Sequence, residues 1–89
     1  MRVQVIKEVP KKDQRDANDW NLCFQWCLYV YDDGRSENGY RFIWRNEKGN
    51  LQPSRGQARI PSISVIKNLI ELAKKDGWGE FDTTRKEGM

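Results

Sequence analysis

The chain has 89 residues, with a hydrophobic fraction of 37% and a charged fraction of 33%. A domain of this size buries only about 60–65% of the surface that its unfolded chain exposes, so its core must be small. The formal net charge is +3 and no histidine is present. For these 89 residues we therefore expect one domain, and the absence of histidine argues against chemistry that depends on an imidazole base.

Patterns typical of catalytic, metal and cofactor sites are missing from the sequence. Cys23 and Cys27 are the two cysteines, and on a strand they would lie about 13 Å apart, too far for a disulfide. Two thiols are too few donors for a zinc site, and no glycine-rich phosphate loop opens a helix. We therefore predict a non-enzymatic cytoplasmic protein with reduced thiols, no cofactor, no metal and no membrane span.

The predicted elements begin with two strands. Alternating valines indicate a first strand over residues 2–9, and a charged loop with one helical turn follows over 11–19. From Asn21 to Tyr31 the apolar residues occupy the even positions and the more polar ones the odd positions. Period-2 alternation over this length predicts a long strand with one face in the core.

Two more strands and one helix complete the predicted fold. A turn over 32–39 precedes the third strand, 40–45, and a hairpin turn lies over 47–50. Pro53 cannot donate to a ladder, so the fourth strand starts after it or runs along a sheet edge. Apolar residues at helical spacing after Pro61 predict one amphipathic helix of 13–15 residues, capped by Ser62 or Ser64.

The fold class that follows is α+β, a four-stranded antiparallel sheet followed by one C-terminal amphipathic helix. Residues 1–78 form the single domain, and 79–89 form a flexible polar tail.

Positive charge is concentrated in one part of the chain. Between Tyr40 and Ile60 there are five basic residues and one acidic residue. If the aromatic residues at even positions face the helix, the odd positions form a second face where arginines would hold phosphates and rings would stack on bases. The candidate residues for single-stranded DNA or RNA binding are Tyr29, Tyr31, Arg41, Arg45, Arg55, Gln57 and Arg59.

Other interpretations stay open at this stage. An antiparallel sheet commonly has one plainly solvated face, on which arginine is an ordinary residue, although like charges on adjacent strands repel each other. Alternatively, an aromatic-rich surface around Trp20 or Trp78 docks a protein partner, or a pocket between helix and sheet holds a small ligand. For Trp26, Phe42 and Trp44 a core position is favoured over a stacking role.

One stretch of the sequence resembles a known family. The series Trp44, Gly49, Leu51, Pro53 and Arg55, followed by a serine-bearing helix start, resembles the third hairpin segment of the positive-cofactor-four transcriptional coactivators. The resemblance covers about residues 40–73, and the N-terminal half agrees in element order.

The resemblance implies single-stranded DNA binding on a curved basic sheet, with a role in transcription or DNA maintenance. The groove would be lined by Arg41, Arg45, Lys48, Arg55 and Arg59. It also implies a homodimer formed through the helices. The corresponding interface residues are Ile63, Ile66, Leu69, Ile70 and Ala73.

Overall fold

The computed structural model describes residues 1–52 and 58–79, and it confirms the predicted α+β fold. Four strands form one curled antiparallel sheet in the order β1-β2-β3-β4, and one helix follows them. The elements are β1 Arg2–Val9, β2 Asn21–Val30, β3 Ser36–Arg45, β4 Leu51–Gln52 and α1 Ile63–Lys75. The expected helical turn before β2 is a short 3₁₀ helix, Lys12–Gln14.

The connection between β2 and β3 is shorter than the predicted turn over 32–39. The backbone N–H of Tyr31 donates to the carbonyl of Arg35 at 2.8 Å, and Gly34 supplies the positive φ, 91°, that the turn needs. β3 therefore begins at Ser36. Asn38 and Gly39, which also suit a turn, instead pair with β2 inside the ladder.

Of the two alternatives for the fourth strand, the course along a sheet edge is correct and the start after Pro53 is wrong. In the described residues β4 pairs through Trp44 with Gln52 and through Arg45 with Leu51, so it begins before Pro53. The hairpin turn is tight because Gly49 has a φ of 85°, and its N–H donates to the carbonyl of Asn46 at 2.8 Å. This turn brings the chain back to β3 before it reaches the proline.

Helix α1 has the predicted length and start. It spans 13 residues, and the Ser62 hydroxyl accepts a hydrogen bond from the Val65 N–H at 3.3 Å. Its C-terminal half packs on the sheet, where Ala73, Trp78 and Val9 form a buried cluster. Within residues 1–52 and 58–79, no helix is both long enough and apolar enough to cross a membrane.

Strand β1 contains a bulge that changes which side chains share a face. Val5 lies opposite Cys27 and Lys7 lies opposite Trp26, so Ile6 is the extra residue. Because one inserted residue reverses the alternation, Val3 and Val5 lie on one face and Val9 on the other. Val9 packs against α1 for this reason, and Glu8 moves to the opposite face.

Candidate nucleic-acid interface

The sheet has two faces with different chemistry. In the β2–β3 ladder odd residues lie opposite odd residues, for example Gln25 opposite Arg41. The face that carries these odd positions is called the arginine face, and the one on which α1 packs is the helix-side face. Arg41 and Arg45 therefore emerge together, on the side away from the packed rings.

Burial in the middle of β2, from Cys23 to Cys27, is the reverse of what the alternation predicts. Cys23, Gln25 and Cys27 on the arginine face are fully buried, whereas Phe24 and Trp26 on the helix-side face are only partly buried. The cause is that long side chains from β1, β3 and the loop before β2 fold over the short ones of β2. Much of the arginine face is thus a covered polar layer rather than an open surface.

Glu8 is the centre of this covered layer. Its carboxylate accepts from Arg45 Nε at 2.6 Å and from Arg45 Nη2 at 2.7 Å, which is a bidentate pair. Arg15 Nη2 donates to the same carboxylate at 2.9 Å. Burial of the carboxyl opposes its ionisation, but hydrogen bonds from Arg45, Cys23 and Gln25 outweigh this, so the pKa of Glu8 lies below its ordinary value. Glu8 is therefore an anion that holds two guanidinium groups.

Arg41 differs from Arg45 in its partners. Its Nε donates to the side-chain oxygen of the fully buried Gln25 at 2.7 Å, and Gln25 Nε2 donates to Glu8 at 3.0 Å. Among the residues that the structure describes, no carboxylate lies within ion-pair distance of Arg41. A neutral amide thus fixes the position of this half-buried guanidinium while leaving its charge uncompensated by any direct partner in the described chain.

Tyr29 lies next to Arg41 because Gly39 leaves room for its ring. A Cβ placed on Gly39 would be 3.3 Å from Tyr29 Cε1, a tight contact that would push the ring away by a few tenths of an ångström. This glycine therefore matters for the space it leaves and not for its backbone conformation. Burial raises the pKa of the Tyr29 phenol, an effect that the nearby Arg41 opposes. Its ring is neutral at physiological pH and adds no negative charge beside Arg41.

Tyr31 extends the same face toward the β2–β3 turn. Its hydroxyl donates to the Glu37 carboxylate at 2.6 Å, and this hydrogen bond is the main cause of the raised pKa of Tyr31. The bond occupies the hydroxyl and leaves the ring itself able to stack. Tyr29, Tyr31 and Arg41 are called the open half of the arginine face, in contrast to the half covered around Glu8.

The remaining predicted nucleic-acid residues lie elsewhere. Lys48 is exposed in the β3–β4 turn. Arg59 is exposed, and its carbonyl accepts from Trp44 Nε1 at 2.8 Å, which places its backbone beside a residue of the helix-side face. Arg55 and Gln57 lie outside the described residues. The described structure thus brings Tyr29, Tyr31, Arg41 and Arg45 onto one face.

The two thiols are unsuited to nucleophilic chemistry. Both are free and fully buried. Burial, with the nearby Glu8 carboxylate, raises the pKa of Cys23 to about 12, and burial also raises the pKa of Cys27. Since the thiolate is the reactive form, both side chains act as small fillers beneath the polar layer.

The helix-side face has an open groove of about 320 Å³ between α1 and the sheet. Near-parallel rings form its floor, with Phe24 and Tyr40 centroids 5.3 Å apart, and Lys74 lies at its rim. Tyr40 is 39% exposed. Trp78 is buried in the core, so it cannot form part of the docking surface that was considered around it. Trp20, by contrast, is exposed in the loop before β2.

The predicted dimer residues divide into two groups. Leu69 and Ala73 are buried within the chain itself, whereas Ile63 is 75% exposed and Ile70 is 37% exposed. Ile66 is intermediate. Only the exposed members are accessible to a partner without a change in the fold.

Sequence reasoning missed three residues that shape the arginine face. Gln25 and Gly39 look like ordinary strand and turn residues, and only the three-dimensional contacts show that Gln25 holds Arg41 and that Gly39 leaves room for Tyr29. Glu8 could have been found, because Ile6 directly after Val5 breaks the alternation and indicates a bulge. With the bulge placed there, Glu8 falls on the same face as the arginines.

No protein-family model, no curated protein and no solved structure matches this chain. The resemblance to the positive-cofactor-four family therefore stays a prediction.

Proposed function

We propose that this protein binds single-stranded nucleic acid, DNA in the first instance, without catalysing a reaction. The contact surface is the open half of the arginine face, with Arg41 on a phosphate and the rings of Tyr29 and Tyr31 on bases. The observation that carries the proposal is the position of Arg41. Its guanidinium is fixed by buried Gln25 at 2.7 Å and has no carboxylate partner among the described residues.

The chemistry of this surface suits a sequence-tolerant binder. A guanidinium presents parallel N–H donors that match a phosphate, and stacking on an aromatic ring contributes about 1–3 kcal/mol per base. Two rings and one phosphate contact give an affinity in the micromolar to millimolar range at low salt. The proposal includes a cytoplasmic location, consistent with two free thiols, and a role in transcription or DNA maintenance, which rests on the family resemblance alone.

The test is fluorescence anisotropy with a labelled oligothymidylate at low salt, repeated with oligouridylate to compare DNA with RNA. We expect Arg41→Gln to weaken binding about tenfold and Tyr29→Leu to weaken it severalfold, because each removes one contact. Arg35→Gln is the matched control, since Arg35 is exposed in the turn and pairs with Asp33 at 2.7 Å. It should change the affinity by less than twofold.

Two results would contradict the proposal. One is no binding of either oligonucleotide by the folded wild-type chain at low salt. The other is equal weakening by Arg41→Gln and Arg35→Gln, because this would show attraction to the general positive charge instead of to a site. Circular dichroism of each variant confirms that the fold is intact.

A second candidate function is a protein-interaction module, including the homodimer predicted from the sequence. It is favoured by the exposed Ile63 and Ile70 on α1 and by the exposed edge of Tyr40. Sedimentation of the wild-type chain and of Ile63→Glu tests the homodimer. A wild-type dimer that Ile63→Glu dissociates would support the homodimer. A wild-type monomer at high micromolar concentration would rule the homodimer out.

A further inference from the structure

The Glu8 carboxylate occupies the donors that Arg45 and Arg15 would otherwise offer to a ligand. Arg45 uses Nε and Nη2 on Glu8 and Nη1 on the Gly49 carbonyl at 2.6 Å. Arg15 uses Nη2 on Glu8 and Nε on the Pro10 carbonyl at 3.1 Å. The three side chains Glu8, Arg15 and Arg45 are 11%, 18% and 19% exposed. All three guanidinium nitrogens of Arg45 thus donate hydrogen bonds within the fold.

The bulge at Ile6 determines which charge reaches this position. An unbroken alternation from Val5 would place Lys7 on the arginine face and Glu8 on the helix-side face. With the bulge, Lys7 lies opposite Trp26 and Glu8 lies opposite Gln25. One inserted residue therefore exchanges a cation for an anion in the middle of a face that carries three arginines.

From this arrangement we propose that Glu8 limits nucleic-acid contact to Arg41, by withholding Arg45 and Arg15 from phosphates. The inference rests on the proposed function and concerns the same face. A phosphate could take Arg45 only by displacing a partly buried carboxylate, which would then lose its counter-charge. Glu8 is therefore a positioning residue that sets how many phosphates the face engages.

The number of phosphate contacts is measurable from the salt dependence of binding. For single strands the slope of log K against log salt is about −0.7 for each neutralised phosphate. The wild-type slope should be about −0.7, and Arg41→Gln should bring it close to zero. Glu8→Gln keeps the side-chain shape and removes the charge. It should steepen the slope by about 0.7 for each arginine released and tighten binding severalfold at low salt.

Two further variants separate this effect from general electrostatics. Asp33→Asn is the matched control, because it also frees an arginine from a carboxylate, Arg35, but in an exposed turn away from Glu8. Its slope should equal that of the wild type. Arg15→Gln should also leave the slope unchanged, since Arg15 is withheld by Glu8. If Glu8→Gln does not fold, Arg15→Gln still tests the proposal. A slope flatter than that of the wild type would show that Arg15 already contacts the strand, and would contradict the role of Glu8.

A second readout needs no oligonucleotide. The side-chain Nε–Hε NMR signals of Arg41 and Arg45 are followed while pyrophosphate is added. In the wild type we expect a shift for Arg41 only, and in Glu8→Gln a shift for both. A wild-type shift of Arg45, or a Glu8→Gln slope equal to that of the wild type, would overturn the role of Glu8. A different result separates the two proposals. If neither the wild type nor Glu8→Gln binds oligonucleotide but both show the expected pyrophosphate shifts, the nucleic-acid function is rejected. The role of Glu8 in withholding Arg45 from phosphate is then retained.

Discussion

Replacement of Glu8 by glutamine should destabilise the fold by about 4 kcal/mol at neutral pH. Its carboxylate accepts three hydrogen bonds from guanidiniums, at 2.6, 2.7 and 2.9 Å. A bond with a charged partner contributes about 1.5–3 kcal/mol and a neutral one about 0.5–1.5 kcal/mol. The glutamine NH₂ group cannot accept a hydrogen bond, so at least one of the three bonds is lost and each remaining bond weakens by about 1 kcal/mol, which together come to about 4 kcal/mol. Against a typical domain stability of about 5–15 kcal/mol this is a large loss.

The same substitution should change how stability depends on pH. Because the pKa of Glu8 in the fold lies below its ordinary value of 4.5, its contribution is complete well above pH 4.5. That contribution is lost as the pH falls through the lower folded-state pKa. The Glu8→Gln chain lacks this group, so the difference in unfolding free energy from the wild type should narrow in acid.

Urea unfolding followed by tryptophan fluorescence at pH 7 and pH 3 measures both effects, since the chain has four tryptophans. Asp33→Asn is the control, because its exposed ion pair with Arg35 should contribute less than about 1 kcal/mol. A Glu8→Gln difference below about 0.5 kcal/mol at pH 7, or one that stays the same at both pH values, would refute the reasoning.

Three more predictions concern the core, the thiols and the helix cap. Trp78→Ala should lower the unfolding free energy by about 3–5 kcal/mol, because it removes a buried ring that stacks on the sheet; thermal melting checks this. Cys23 and Cys27 should not react with a thiol reagent at pH 8 until urea unfolds the chain. Ser62→Ala should reduce stability by about 0.5–2 kcal/mol through loss of the cap on Val65, measured by urea unfolding.

Patterns that depend on near neighbours in the chain could be predicted from the sequence. The alternation in β2 and the apolar periodicity with a serine cap in α1 correctly indicate a strand and a helix, because each pattern is written into one continuous segment. The predicted turn before β3 is too long, because Asn38 and Gly39 are typical of turns and yet pair with β2 inside the ladder.

Features that depend on distant residues were not predictable in the same way. The pairing of Arg45 with Glu8 joins residues 37 positions apart. It exists only because the bulge in β1 moves Glu8 to the arginine face of the sheet. The burial of Gln25 follows from side chains of other strands that fold over it. The alternation of side chains thus correctly places Arg41 and Arg45 on one face. It cannot show that, within residues 1–52 and 58–79, Arg45 has a carboxylate partner and Arg41 has none.

The bulge at Ile6 has a second consequence, for the behaviour of the protein at high concentration. In the part of the chain that the structure describes, β1 is the outer strand and pairs on one side only. A regular eight-residue edge would offer evenly spaced N–H and C=O groups to a strand of another molecule. The extra residue disrupts this spacing at the middle of the edge. The same insertion that brings Glu8 to the arginines therefore makes β1 a poorer template for edge-to-edge pairing with another molecule.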